Sequence, residues 1–297
     1  MRRMARSQSP LRYPGGKSAL AEVTASLIRE NGIGRAHYVE PYAGGASLAL
    51  HLLYTRQVSD IHLNDLDPGI WSFWHSVINH AEELIRLIDR CEITVDEWHH
   101  QKSIYREADT SAPLKLGFAT FFLNRTNRSG IIGSGGIIGG LQQQGNYKID
   151  CRFNKYNLVQ KIRKINRYRN SIHLTNLDAV EFLQSSDVTL SERTLYMIDP
   201  PYYEKGSSLY TNFYGKDDHS AVRDAIAHLS KPWIVTYDNC DEISDLYRDF
   251  DQIEFGISYS ANKKRTGKEL MIVSPHLRFA ERTVELIRKR LPTPIAA

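Results

Sequence analysis

Cysteine is scarce. There are three, Cys91, Cys151 and Cys240, far apart and without a CxxC spacing. That excludes a disulfide framework and gives no structural zinc signal. The eleven histidines form no HExxH pattern and no Cys/His cluster, so no protein-bound metal is expected. No uncharged apolar run is long enough to span a bilayer. The basic stretch MRRMARSQSP has no apolar segment behind it, so a cytoplasmic protein with no membrane partner is expected. Neither charge sign dominates: Lys+Arg 38 against Asp+Glu 34 leaves +4. The glycine motifs of dinucleotide and P-loop sites, GxGxxG and Walker A, are both missing.

What is present reads as a globular chain of 297 residues, 41% hydrophobic and 24% charged. That is long enough for one large domain, or a core domain with a substantial insertion. The first third is α/β. A short apolar strand over 36–39 ends at Glu40-Pro41. Gly44-Gly45 and the helix SLALHLLY follow, and then a strand at 61–63 ended by Asn64-Asp65. From Pro68 to Asn124 the pattern is helical. Residues 130–145 then hold seven glycines, a density read as a mobile loop. Residues 145–170 carry eight bases, and Asp150 is their only acid, a local balance of +7. Such a field is the usual footprint of a polyanion, although a solvated helix face gives the same run. The α/β pattern resumes with SIHLTN, DAVEFLQ, TLYMID, DDHSAVRDAIAHLS, PWIVTYD and DEISDLYRDF. The pieces FGISYS and ELMIVS flank ANKKRTGK as a closing hairpin. The expected division is 1–67 with 170–297 as the α/β core domain, and 68–169 as a helical insertion ending in the basic run.

The most specific tetrapeptide is Asp199-Pro200-Pro201-Tyr202, at a strand end. Two prolines fix φ twice and remove two donors. What remains is a stiff wall of acceptors beside a ring, suited to a planar base with an exocyclic amine; a proline-stiffened turn is the alternative. Tyr38-Val39-Glu40-Pro41-Tyr42-Ala43-Gly44-Gly45 ends a strand in a small-residue turn, where backbone can approach a ligand closely. Asp65, roughly 20 residues later, is placed to hold ribose hydroxyls or to cap the next helix. Asp178 ends a later strand and has the same two readings. Arg12-Tyr13-Pro14-Gly15-Gly16-Lys17 is a tight turn with a lysine.

Taken in order, RYPGGK, YVEPYAGGASL, NDLD, FFLNRTNRSGI, DPPY and ISYSANKKRTGKELMIV resemble the Dam-type DNA adenine methyltransferases over nearly the whole chain. The resemblance implies the Rossmann-like, doubly wound sheet of S-adenosylmethionine-dependent methyltransferases, with an antiparallel last hairpin. It implies methyl transfer from S-adenosylmethionine to adenine N6 in double-stranded DNA. Tyr13, Lys17, Glu40, Pro41, Gly44, Asp65, Asp178 and Asp199 then match cofactor positions. Asp199 and Pro200 would accept the amine hydrogens, and Tyr202 would stack on a flipped base. Asn124, Arg125 and Asn127 match a segment that meets DNA. Lys148, Arg152, Ser258, Asn262 and Lys263 are further expected DNA contacts, with Arg125, Gln142, Gln143 and Gln144 as candidate base readers. The cofactor turn ends Gly-Gly-Ala-Ser, where many relatives carry a further glycine, and no aromatic follows the asparagine in NRTNRSGI. A monomer in solution is expected, with a cognate restriction endonuclease as candidate partner. Cytosine N4, RNA or protein glutamine methylation, and a catalytically silent DNA-binding subunit, are the competing readings.

Overall fold

The structure is a computed structural model, which describes residues 8–13, 17–203, 214–259 and 265–290. Seven strands form one sheet in the order β3-β2-β1-β4-β5-β7-β6. They are β1 (Ala36–Glu40), β2 (Val58–Asn64), β3 (Ile172–Thr175), β4 (Thr194–Ile198), β5 (Trp233–Asp238), β6 (Asp251–Tyr259) and β7 (Arg265–Val273). The first five are parallel, and β7 runs antiparallel to both β5 and β6. This is the mixed α/β sheet with an antiparallel last hairpin that the sequence leads one to expect. The winding reverses between β1 and β4, so the loops after those two strands open a crevice at the carboxyl edge.

Every residue of β4 and β5 is buried, as continuous apolar strands covered on both faces must be. Their side chains alternate between two cores. Tyr38, Leu195, Met197 and Ile234 face one, and Val39, Tyr196, Ile198 and Val235 face the other. The helices α1 (Ala21–Glu30) and α2 (Ser47–Tyr54) cover the first face. The helices α8 (Ala179–Thr189), α9 (Lys216–Ala227) and α10 (Asp241–Leu246) cover the second, and α11 (Glu281–Arg290) packs beside α1.

The stretch after β2 is helical, as its pattern predicts: α3 (Pro68–Asn79), α4 (Ala81–Arg90), α5 (Val95–Glu107), α6 (Pro113–Thr126) and α7 (Lys155–Asn166). Phe73, Trp74, Phe121 and Phe122 of this insertion belong to the same hydrophobic cluster as Leu27 and Leu48 beside the sheet. The insertion is therefore packed onto the sheet layer.

Two expectations change. Residues 130–145 are not a loose loop. Ile132, Ile137 and Ile138 are buried, and Ile137 bridges to Asn127. Gln143 donates to the Ile138 and Gly140 carbonyls and accepts from Ile149 N. Glycine supplies the turns, but three isoleucines anchor them, which the glycine count conceals. The basic run is also partly consumed internally. Lys155 donates to the Asp89 and Cys91 carbonyls at the end of α4, and Lys161 to the Ser9 carbonyl.

Gly117 in α6 marks a tight helix contact. A Cβ there would lie 2.5 Å from the Ser72 carbonyl oxygen of α3. Gly117→Ala should lower unfolding free energy by about 1–3 kcal/mol through overpacking, more than the roughly 1 kcal/mol alanine gains inside a helix. Urea denaturation checks this, and a more stable variant would show that α3 and α6 can part freely.

Candidate active site

The crevice is organised by Asn64, the last residue of β2, which is wholly buried. Its amide nitrogen donates to the Pro41 and Leu177 carbonyls at 3.1 and 3.0 Å. Its oxygen accepts from Thr175 Oγ1 and Leu177 N at 2.8 and 3.0 Å. One side chain thus ties together the loops after β1, β2 and β3.

Asp65 follows. Its Oδ2 accepts from Gly44 N at 2.8 Å and its Oδ1 from Asp67 N at 3.0 Å. Burial first, and then the neighbouring Asp67, push its carboxyl up to about 7. The cap of α3 is Asp67, which accepts from Gly69 N and Ile70 N ahead of Pro68. The capping alternative therefore falls to Asp67, and Asp65 turns to the glycine turn. Gly44 has φ +45, and a Cβ on it would lie 2.7 Å from the Tyr13 ring. Trp74 Nε1 holds the Gly44 carbonyl at 2.9 Å. Glu40 is buried beneath, accepting from Tyr38 OH at 3.0 Å and Ala49 N at 3.3 Å. Burial pushes it up to about 8, against the pull of those two donors. Asp178 is exposed and caps α8 through Val180 N at 2.8 Å.

Asp199 leaves the end of β4 beside buried Pro200 and Pro201. Its Oδ1 takes two bonds: Thr236 Oγ1 of β5 at 2.9 Å and Lys17 Nζ at 3.0 Å. Among the described residues no donor reaches Oδ2. Burial raises the Asp199 pKa, Lys17 opposes the rise, and Glu269 adds to it. Lys17 is 7% exposed and also donates to Glu269 Oε2 at 3.0 Å and to the Tyr202 hydroxyl at 3.3 Å. Tyr202 is buried and donates to Glu269 Oε1 at 2.5 Å. Asp238, at the end of β5, accepts from Tyr203 N at 3.0 Å.

Sequence reading missed Asn64, Thr236, Asp238 and Glu269. The signal available was a polar or acidic residue inside or bounding an apolar strand, as in WIVTYD and ELMIV.

The residues assigned to DNA separate into two groups. Asn124 is buried, accepting from Arg12 N and donating to the Arg12 and Gly130 carbonyls. Asn127 is buried too, donating to the Ile131 and Ile132 carbonyls and accepting from Trp98 Nε1. Their amides shape the insertion from within. Arg125 holds the Arg152 carbonyl through Nε at 2.7 Å, and Pro10 O at 3.3 Å. Burial, then Arg12 and Arg152, bring its pKa down to about 10. Arg152 and Lys148 are exposed, as are Gln142 and Gln144. Ser258 lies in β6 opposite Thr266. Asn262 and Lys263 lie outside the described residues. A cavity of about 590 Å³ opens elsewhere, within the insertion between α4, α5 and α6.

A family model, D12 class N6 adenine-specific DNA methyltransferase, matches residues 13–261. No curated protein matches the chain. Among solved structures the chain is similar to an S-adenosylmethionine-dependent methyltransferase from Agrobacterium tumefaciens, at 8% identity and TM-score 0.41, covering 88% of this chain and 63% of that one. It is also similar to the rRNA methyltransferase AviRa from Streptomyces viridochromogenes, at 12% identity and TM-score 0.37, covering 89% and 86%. Likeness at that distance says nothing about this chain's chemistry.

Glu40 gives a test of the site's electrostatics. In the folded chain it keeps its proton up to about 8, and unfolded only to about 4.3. Folding retains a proton between those values, so stability is lost as pH rises through that window. Glu40→Gln has no such proton. Its melting temperature should gain on the parent from about pH 5 to about pH 8, and the gap should stop widening above that. A gap constant with pH would show an ordinary carboxylate.

Proposed function

The chain belongs to the D12 class N6 adenine-specific DNA methyltransferase family, and we propose that it methylates N6 of an adenine flipped out of duplex DNA at a specific sequence, with S-adenosylmethionine as donor. One observation carries the reading. Asp199 Oδ1 accepts from Lys17 and Thr236, which leaves Oδ2 as an acceptor among the described residues, at the sheet's switch point.

The residues fit the cofactor. Glu40 is buried and Asp65 and Asp199 are half-buried, and desolvation raises all three carboxyls above their ordinary range, so positive charge there does not fully offset it. A cationic ligand corrects that shortage. Asp65, aimed by Gly44 N and Asp67 N, is an acceptor for paired ribose hydroxyls. Tyr13 and the turn 40–45 would hold the methionine portion, and Asp178 the adenine. When bound, the cofactor supplies an electrophilic methyl group on a sulfonium.

The residues' own work follows. The amine lone pair of adenine is delocalised into the ring. Asp199 Oδ2 and the Pro200 carbonyl would accept hydrogen bonds from its two hydrogens, favour tetrahedral nitrogen and stabilise the growing positive charge, and the proton that the nitrogen sheds as its bond to carbon forms would pass to Asp199. This is preorganised electrostatics with in-line positioning. The target nitrogen is out of reach in a stacked duplex, so the base must leave the helix. Tyr202 is 5% exposed, so stacking on that base requires displacement of what covers the ring. Arg125 and Arg152 with Arg12, and exposed Lys148, meet phosphates. Gln142 and Gln144 face outwards and are better placed than Gln143 to read bases. Asn124 and Asn127 act indirectly, by holding Arg12 and the glycine-rich turns.

Two measurements test the reading. Asp199→Ala should stay folded and lose about 10²–10³ or more in tritium transfer to methylation-free DNA; near-parent turnover would sink the assignment. Asp65 titrates at about 7 in the free protein, and its ionised form accepts the hydroxyls. Cofactor affinity should therefore rise roughly tenfold from pH 6 to pH 8. Calorimetry should show this slope flattened in Asp65→Asn. An equal slope in both proteins assigns the titration to another group.

A further inference from the structure

Glu269 is the residue of the site that the proposed reaction does not yet use. Its side chain is 1% exposed, and it stands opposite Asp238 of β5 in the antiparallel register. Each oxygen has a donor: Oε1 the Tyr202 hydroxyl at 2.5 Å, and Oε2 the Lys17 ammonium at 3.0 Å. Lys17 in turn reaches Asp199 Oδ1 at 3.0 Å and the Tyr202 oxygen at 3.3 Å.

We propose that Glu269 is a positioning residue for methyl transfer, holding Lys17 and Tyr202 so that Lys17 engages one oxygen of Asp199 and leaves the other for the target amine. The proposal rests on the reading of Asp199 as the acceptor of the amine hydrogens. A lysine is a point charge on a flexible stem with three donors. Here those donors meet three acceptors, Asp199 Oδ1, Glu269 Oε2 and the Tyr202 oxygen, and the ammonium is fixed. Without Glu269 the ammonium loses a carboxylate that holds it off Asp199 Oδ2, and it can swing across both Asp199 oxygens. Oδ2 is then occupied, and the amine loses its acceptor.

The charge balance argues the same way. One lysine alone would neutralise Asp199. Shared with a second buried carboxylate, it leaves the trio at −1 when both acids are ionised. That surplus faces the nitrogen on which positive charge develops. The same carboxylate anchors Tyr202 by its hydroxyl, so the ring and the acceptor are set by one group.

The test uses the full chain with S-adenosylmethionine and methylation-free genomic DNA. Glu269→Gln keeps the volume and one acceptor but removes the charge. Its kcat should fall about 10- to 100-fold, with KM for DNA and for cofactor held within about threefold. The acid limb of its pH–rate profile should move to lower pH, because the charge that raised the Asp199 pKa is gone. A loss that came only from fewer folded molecules would not move that limb. Tyr202→Phe keeps the Lys17–Glu269 pair and removes only the ring's anchor. It should lose less in kcat, with an unmoved acid limb. If Glu269→Gln turns over within twofold of the parent, or its folded fraction does so with the parent's pH profile, the proposal fails. If Glu269→Gln does not fold, a Tyr202→Phe protein at parent kcat overturns the anchoring role. Asp199→Ala, run alongside, separates the two claims: an active Asp199→Ala removes the underlying reading, and a dead one leaves Glu269 to be judged alone.

Discussion

The crevice hangs on one buried amide. Parallel strands end in loops that share no ladder, so their relative placement must come from somewhere else. Asn64 supplies it, with two bonds donated and two accepted, the number its amide oxygen and nitrogen allow before the oxygen's geometry is crowded. The glycine turn after β1, Asp65 after β2 and the loop carrying Asp178 are all referred to that side chain. An aspartate there could not donate to the Pro41 and Leu177 carbonyls. A leucine would leave both carbonyls, and the Leu177 amide, without these partners.

Onto that frame the chain places more buried acid than it neutralises. Glu40 and Asp65 have backbone and hydroxyl donors but no ion-pair partner among the described residues, and Asp199 shares its lysine with Glu269. In the free protein this is a cost to folding. It is the arrangement expected where stability yields to ligand binding, and it is local. Elsewhere the sheet is covered on both faces by apolar residues in alternate register.

Much of this was legible in the residues, and the parts that were not share a cause. The strand, glycine turn, helix and strand of the first third, the closing hairpin and the end of the DPPY strand follow from local periodicity and turn chemistry. That Asp67 and not Asp65 caps α3 does not, because the capping position is fixed only once the first residue of the helix is known. Only the observed bonds to Gly69 N and Ile70 N decide it. Asn124 and Asn127 match a segment expected to meet DNA but spend their amides on backbone over 100 positions away and on adjacent turns. Lys155 and Lys161 read as part of a charged stripe but close a helix end and a segment near the amino terminus. Glu269 lay in plain view at the head of ELMIV. Its partners, Lys17 and Tyr202, are 252 and 67 residues distant, and no local pattern carries such a pairing.

That separation has a consequence in time. Synthesis is vectorial, and amino-terminal parts fold first. A nascent chain that has passed Asp199 carries the glycine turn, Asp65 and Asp199, but Lys17 does not yet have Glu269. The antiparallel β7 delivers the second, late, between β5 and β6. An interrupted product that stops short of residue 269 lacks the strand between β5 and β6, and with it a carboxylate that Lys17 meets in the finished fold.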